Sequence, residues 1–111
     1  MASGDRAEAR LCAPTQLGTS TTTLFTVASG HTYVAKQIII TNTDTVDRTV
    51  TLAVGSAATA ANRIMSALPI GANDIMVFDT ALVLLTTETL QGLSDTASKV
   101  NVTVVGWDKT N

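Results

Sequence analysis

Apolar and polar residues alternate with a period of two along most of the chain, the signature of half-buried β-strands. The clearest run is residues 48–54, which sets Val50, Leu52 and Val54 on one face and Thr49, Thr51 and Ala53 on the other. Residues 32–41 set Val34, Ile38 and Ile40 against Tyr33, Ala35, Gln37, Ile39 and Thr41. Between them, residues 42–47 (NTDTVD) are turn chemistry, because Asn and Asp side chains bond nearby backbone and tolerate unusual dihedrals. These two runs are expected to form one antiparallel hairpin. Residues 74–79 oppose Ile75 and Val77 to Met76 and Phe78, so both faces are apolar, one toward a second sheet and one toward a neighbour. Further runs are a short apolar stretch at 82–85, a strand at 88–93, and a last strand at 99–107 after the turn 94–98. In that last strand Val100, Val102 and Val104 share a face, with Val105 and Trp107 opposite. Weaker strands are read at 24–27 and at 64–70, the second ended by Pro69 and the turn Gly71-Ala72-Asn73. Residues 55–62 read as a loop or a short helical turn.

Seven or eight short strands with turns between them predict an all-β fold, an antiparallel β-sandwich of jelly-roll or immunoglobulin-like course. A small closed barrel is the second choice. No helical stretch long enough for a βαβ unit is present. Composition agrees: Thr, Ala and Val supply 46 of the 111 residues, and Thr and Val lose χ1 freedom in helices. With 45% hydrophobic and 14% charged residues the chain is too apolar to be disordered, and no run approaches the ~18 apolar residues of a membrane-spanning helix. The expected organisation is a flexible N-terminal arm over residues 1–14 and one sandwich domain over residues 15–111. The arm carries Asp5, Arg6, Glu8 and Arg10 and ends at Pro14. It has no apolar stretch of the kind a signal peptide needs, which predicts no Sec-dependent secretion. Cys12, placed in that arm, reads as incidental, and the sequon Asn101-Val102-Thr103 reads as a strand edge.

Seven basic and nine acidic side chains give a net charge of −2, without the basic footprint of nucleic-acid binding. One Cys and one His exclude a disulfide framework and a multi-Cys/His zinc site. His31 lies in the turn Ser29-Gly30-His31-Thr32 and reads as an exposed loop histidine. The carboxylates Asp44, Asp47, Asp74, Asp79, Glu88, Asp95 and Asp108 are dispersed, match no calcium-loop order, and read as turn-forming acids. The glycines fall singly, so there is no phosphate cradle. The expectation is a non-enzyme with no catalytic, cofactor or metal residues and no small-molecule substrate. What stands out is apolar side chains opposite the presumed core faces: Ile39, Met76 with Phe78, and Val105 with Trp107. These five are the candidate interface, since a second apolar face on a sandwich marks a protein contact. Trp107, beside Asp108, is also a candidate platform for a sugar ring.

The stretch Thr22-Thr23-Leu24-Phe25-Thr26-Val27-Ala28-Ser29-Gly30-His31, followed by Val34 to Asp44 and Val50-Thr51-Leu52, resembles small tailed-bacteriophage virion proteins. In that group a "lyTVpsG" turn leads into a strand ending in "I-x-N-T" and a Thr-rich hairpin. Leu85-Thr86-Thr87-Glu88-Thr89-Leu90-Gln91-Gly92-Leu93 resembles their "L-x-x-G-D-x-L" element with Thr87-Glu88 where Gly-Asp is usual, and residues 100–106 resemble their final strand. The resemblance spans roughly residues 15–107 and rests on structural motifs. It implies a β-sandwich on the particle, made in the host bacterial cytoplasm, that acts as a capsid decoration (cement) protein or a minor tail protein. The implied partners are the major capsid protein and copies of itself, expected as a homotrimer, with no nucleic acid and no membrane. The alternative is a tail-tip or fibre module that binds host-surface glycan. No catalytic residue is carried over.

Overall fold

The computed structural model describes residues 6–55 and 60–111. Eight strands follow in order: β1 (Arg6–Gln16), β2 (Thr22–Thr26), β3 (His31–Asn42), β4 (Arg48–Gly55), β5 (Arg63–Ile70), β6 (Ile75–Leu84), β7 (Thr89–Ser94) and β8 (Val100–Thr110). A 3₁₀ turn at Ala60–Asn62 precedes β5. One sheet has the order β1-β8-β3-β6 and the other β2-β7-β4-β5. The pairs β1·β8, β2·β7, β3·β6 and β4·β5 are all antiparallel and nested, first strand with last, as in a long hairpin rolled across two sheets. That is the jelly roll, and it decides between the two sandwich courses that periodicity left open.

The inner faces meet in a core of Leu17, Val27, Ala35, Ile38, Ile40, Val50, Leu52, Ile70, Leu84, Leu90, Val100, Val102 and Val104. In β4 Val50 and Leu52 turn inward as expected, but Thr51 and Ala53, expected outward, are buried as well, the Thr51 hydroxyl accepting from the Ala67 amide. Strand β8 presents the faces its alternation predicts. Strand β3 does not. Tyr33 packs on the core and Ala35 lies within it, on the same side as Ile38 and Ile40, because the register with both neighbours shifts between Ala35 and Gln37. A bulge at Lys36 inserts one residue and reverses the side-chain phase beyond it. Gly106 makes room: a Cβ there would stand 1.9 Å from the Val34 carbonyl oxygen.

Three further expectations are corrected. Strands β3 and β4 are not a hairpin; they lie in different sheets, and residues 43–47 carry the chain across the sandwich. Buried Asn42 pins that crossing, donating from Nδ2 to the carbonyls of Val46, Ile70 and Gly71 and accepting from the Asp44 amide. Second, the runs at 74–79 and 82–85 are one strand, β6, since the alternation never breaks between them. Third, the arm expected over residues 1–14 is, from Arg6 onward, an edge strand that pairs with β8 from Arg6↔Lys109 to Gln16↔Asn101. Cys12, read as incidental, is 3% exposed inside the core. Charge and Pro14 disguised this strand, as they do on protected sheet edges. Residues 1–5 of the expected arm, with Asp5, and residues 56–59 of the expected loop lie outside the described residues.

Candidate interaction surface

The outer face of the β1-β8-β3-β6 sheet is built by register. Directly opposed residues of an antiparallel pair point to the same side, so each row of the sheet can be followed across three strands. Asn101, Thr41 and Ile75 form one row; Thr103, Ile39 and Val77 the next. Val105, Gln37 and Asp79 follow, and beyond the bulge come Trp107, Val34 and Val83. The face is thus apolar toward β6, mixed toward β8, and crossed by one tether in which Gln37 Nε2 donates to Asp79 Oδ1 at 3.1 Å.

Of the five candidate interface residues, Ile39, Val105 and Trp107 lie on this outer face, each half-buried. Met76 and Phe78 do not; they turn inward and pack against the core. The phase of β6 is the reverse of the one chosen from sequence, and the side chains turned outward are Ile75, Val77 and Val83. One signal was available. Asp79 shares the odd positions with Ile75 and Val77, and a lone carboxylate in an apolar strand marks the solvent side.

Around Trp107 the surface dips into an open depression of ≈ 440 Å³ lined by Glu8, Ala9, Arg10, Lys36, Val105, Gly106 and Trp107. Lys36 Nζ sits 5.4 Å from the centroid of the Trp107 ring, a cation–π contact placed there by the bulge that turns Lys36 outward. A second groove of ≈ 270 Å³ runs where the sheets part between β5 and β6, lined by Ile38, Ile64, Met65, Phe78, Asp79, Thr80 and Leu82.

Polar side chains elsewhere hold turns. Asp44 accepts from Arg48 Nε at 2.8 Å and from the Thr45 amide at 2.7 Å; the Arg48 hydrogen bond first, then the Thr45 amide, holds its carboxyl below the usual range. Asp47, Asp74, Glu88 and Asp95 each accept from a backbone amide, at Ala72, Ile75, Leu85 and Thr49. His31 is not an exposed loop residue: it opens β3, half-buried, with Nδ1 2.6 Å from Asp108 Oδ1. Thr86 Oγ1 donates to the His31 carbonyl at 2.6 Å. These contacts tie strand ends together. Among the described residues no group of three or more His, Cys, Asp or Glu side chains converges as metal ligands would.

No protein-family model matches the sequence, and no curated protein does. Solved structures match by shape. A chain of infectious bursal disease virus, Gx strain, aligns with TM-score 0.59 and 11% identity over 96% of this chain and 33% of that one. A protein of Bacillus endospore appendages, a family of disulfide-linked pili, aligns with TM-score 0.58 and 12% identity over 98% of this chain and 91% of that one. The Tobacco streak virus coat protein dimer aligns with TM-score 0.49 and 12% identity. This chain spans about a third of the length of the bursal disease virus chain it matches. The first two likenesses establish the fold, a jelly roll shared with a virus particle and a pilus.

Proposed function

We propose that this chain is a non-enzymatic structural protein of a bacteriophage virion that binds the outer capsid surface as a decoration protein and stabilises the head. The single observation that carries the reading is the outer face of the β1-β8-β3-β6 sheet, where Ile39, Val77, Val34, Val83, Val105 and Trp107 lie together on a surface that a protein working alone keeps polar. The bacteriophage assignment rests on the resemblance of residues 15–107 described above, and the fold shared with a virus particle supports a structural role. The physical logic is additive: many copies, each covering a modest apolar patch, bridge neighbouring capsid subunits, and multivalency makes weak single contacts durable.

The alternative, a tail-tip or fibre module that binds host-surface glycan on Trp107, is less well supported, because a sugar stacking there has to compete with Lys36 for the ring. Immunogold electron microscopy, with antibody against the recombinant protein, tests both on particles from the source culture. Label over the heads is the expected result. Label confined to tails or tips moves the assignment to the glycan-binding module, and particles without label end both virion readings.

A further inference from the structure

A β-sandwich with two four-stranded sheets has four edge strands, and three of these carry the devices that block strand addition. Strand β1 has Arg10, Glu8, Pro14 and two register shifts. Strand β5 has Arg63, Pro69 and a left-handed Ala67 at φ 48°. Strand β2 is only five residues long. Strand β6 is the least protected: its one charge is Asp79, tied to Gln37, and its one irregularity is the register shift against β3 between Asp79 and Leu82. It is ten residues long, has no Lys, Arg or Pro, and alternates without a break. Its outward side chains are the most exposed large apolar residues of the described chain: Ile75 at 55%, Val77 at 50% and Val83 at 51%, with Leu85 at 58% just beyond its end.

The pattern along this edge is also palindromic. Reading outward from Thr80, Asp79 is matched by Ala81, Phe78 by Leu82, Val77 by Val83, Met76 by Leu84 and Ile75 by Leu85. We propose that two copies of this chain pair edge to edge through β6, antiparallel about a two-fold axis, with Thr80 opposite Thr80 of the second copy. In this register Val77 faces Val83 and Ile75 faces Leu85 on the outer side, while Phe78 faces Leu82 and Met76 faces Leu84 on the core side. These four pairings are apolar with apolar, Asp79 faces only the small Ala81 and keeps its bond to Gln37, and Thr–Thr is a favourable cross-strand pair at the centre. Neighbouring registers are worse. Centring on Asp79 sets two carboxylates against each other, and centring on Ala81 sets Asp79 against Val83; a shift by one residue turns every side chain to the wrong face. Pairing joins the two four-stranded sheets into one of eight strands and doubles the outer apolar face. It covers the rows of Ile39 and Val34 only at their β6 margin, leaving the Val105–Trp107 side open.

Sedimentation velocity across a concentration series tests this on the full chain. The wild type is expected as a pair of 11.5 kDa chains. Val77→Lys alone and Val83→Asp alone are each expected to weaken pairing by at least roughly tenfold, because an unpaired charge enters an apolar contact. The double variant is expected to restore it, because position 77 of one copy faces position 83 of the other. A Thr80→Cys variant is expected to form an inter-chain disulfide on mild oxidation, which the wild type, with Cys12 sealed in the core, does not. A monomer at millimolar concentration, a trimer, double-variant chains that stay apart, or no cross-link at position 80 overturns the proposal. The outcome is separate from the virion reading: chains that pair but label no particle lose the capsid role and keep the pair.

Discussion

The two ends of the β1-β8-β3-β6 sheet treat the same physical problem in opposite ways. Strand β1 closes its edge with charge, a proline and two register shifts, yet sends Cys12 into the core and rests Leu11 on it. Strand β6 leaves its edge bare and turns Ile75, Val77 and Val83 to solvent while Met76, Phe78 and Leu82 pack on the core. An edge strand exposes unpaired backbone groups whatever its sequence, so the difference lies in whether the side chains invite or refuse a partner. One edge ends the molecule, and the other is unfinished. The polar composition that made β1 look like a loose arm is the same composition that protects it.

Deleting residues 1–14 has the largest expected effect. It strips most of β1 from β8, opens the core beside Val102 and Val104, and should abolish the cooperative thermal transition, whereas a truly loose arm would leave the melt unchanged. Next is Gly106→Ala, between the two edges. Its Cβ would collide with the Val34 carbonyl at 1.9 Å, so chemical denaturation should register a loss of more than about 3 kcal/mol. Thr87→Gly, in the turn after β6, should act the other way. Thr87 holds φ at 68°, a strained position for a β-branched residue, and urea titration should find a gain of about 1 kcal/mol once the extra freedom of the unfolded glycine is deducted.

Acid should loosen the mooring of β6 at its start, where the Asn73 amide donates to the Asp44 carbonyl and the Asn42 amide to that of Asp74. The folded pKa of Asp44 is lowered by Arg48, so its contribution is fully present above the ordinary value of 3.8 and is lost as the pH falls through the lowered one. Stability measured below pH 4 should therefore drop less in Arg48→Met than in the wild type. The smallest effect is expected for Val77→Thr with Val83→Thr. At low protein concentration these outward positions of β6 should change monomer stability by no more than about 0.5 kcal/mol. A large loss there would mean that the β6 edge, like β1, is held by the fold itself.

The strands with one wet and one dry face were legible in the sequence. Residues 48–54 and 99–107 alternate cleanly, and Val50, Leu52, Val102 and Val104 are buried as read, although Thr51 and Ala53, read as outward, are covered too. The candidate surface was only partly legible. Ile39, Val105 and Trp107 were placed outward, but Met76 and Phe78 were taken for the exposed pair because an apolar–apolar strand gives no phase except through Asp79. The Asp–amide turns were also readable, since that chemistry is local: Asp74 binds the amide of Ile75, and Asp44 that of Thr45.

The sequence by itself determined that this is an all-β chain, where most of its strands run and which residue types close its turns, because alternation and turn chemistry act over a few residues. Only the tertiary structure decided that β3 and β4 belong to different sheets, that β1 is a strand, and where the phase of β3 reverses. Those depend on what lies across the sheet. The phase of β3 is reversed by a bulge that exists because residue 106, seventy positions away from Lys36, has no side chain to prevent it.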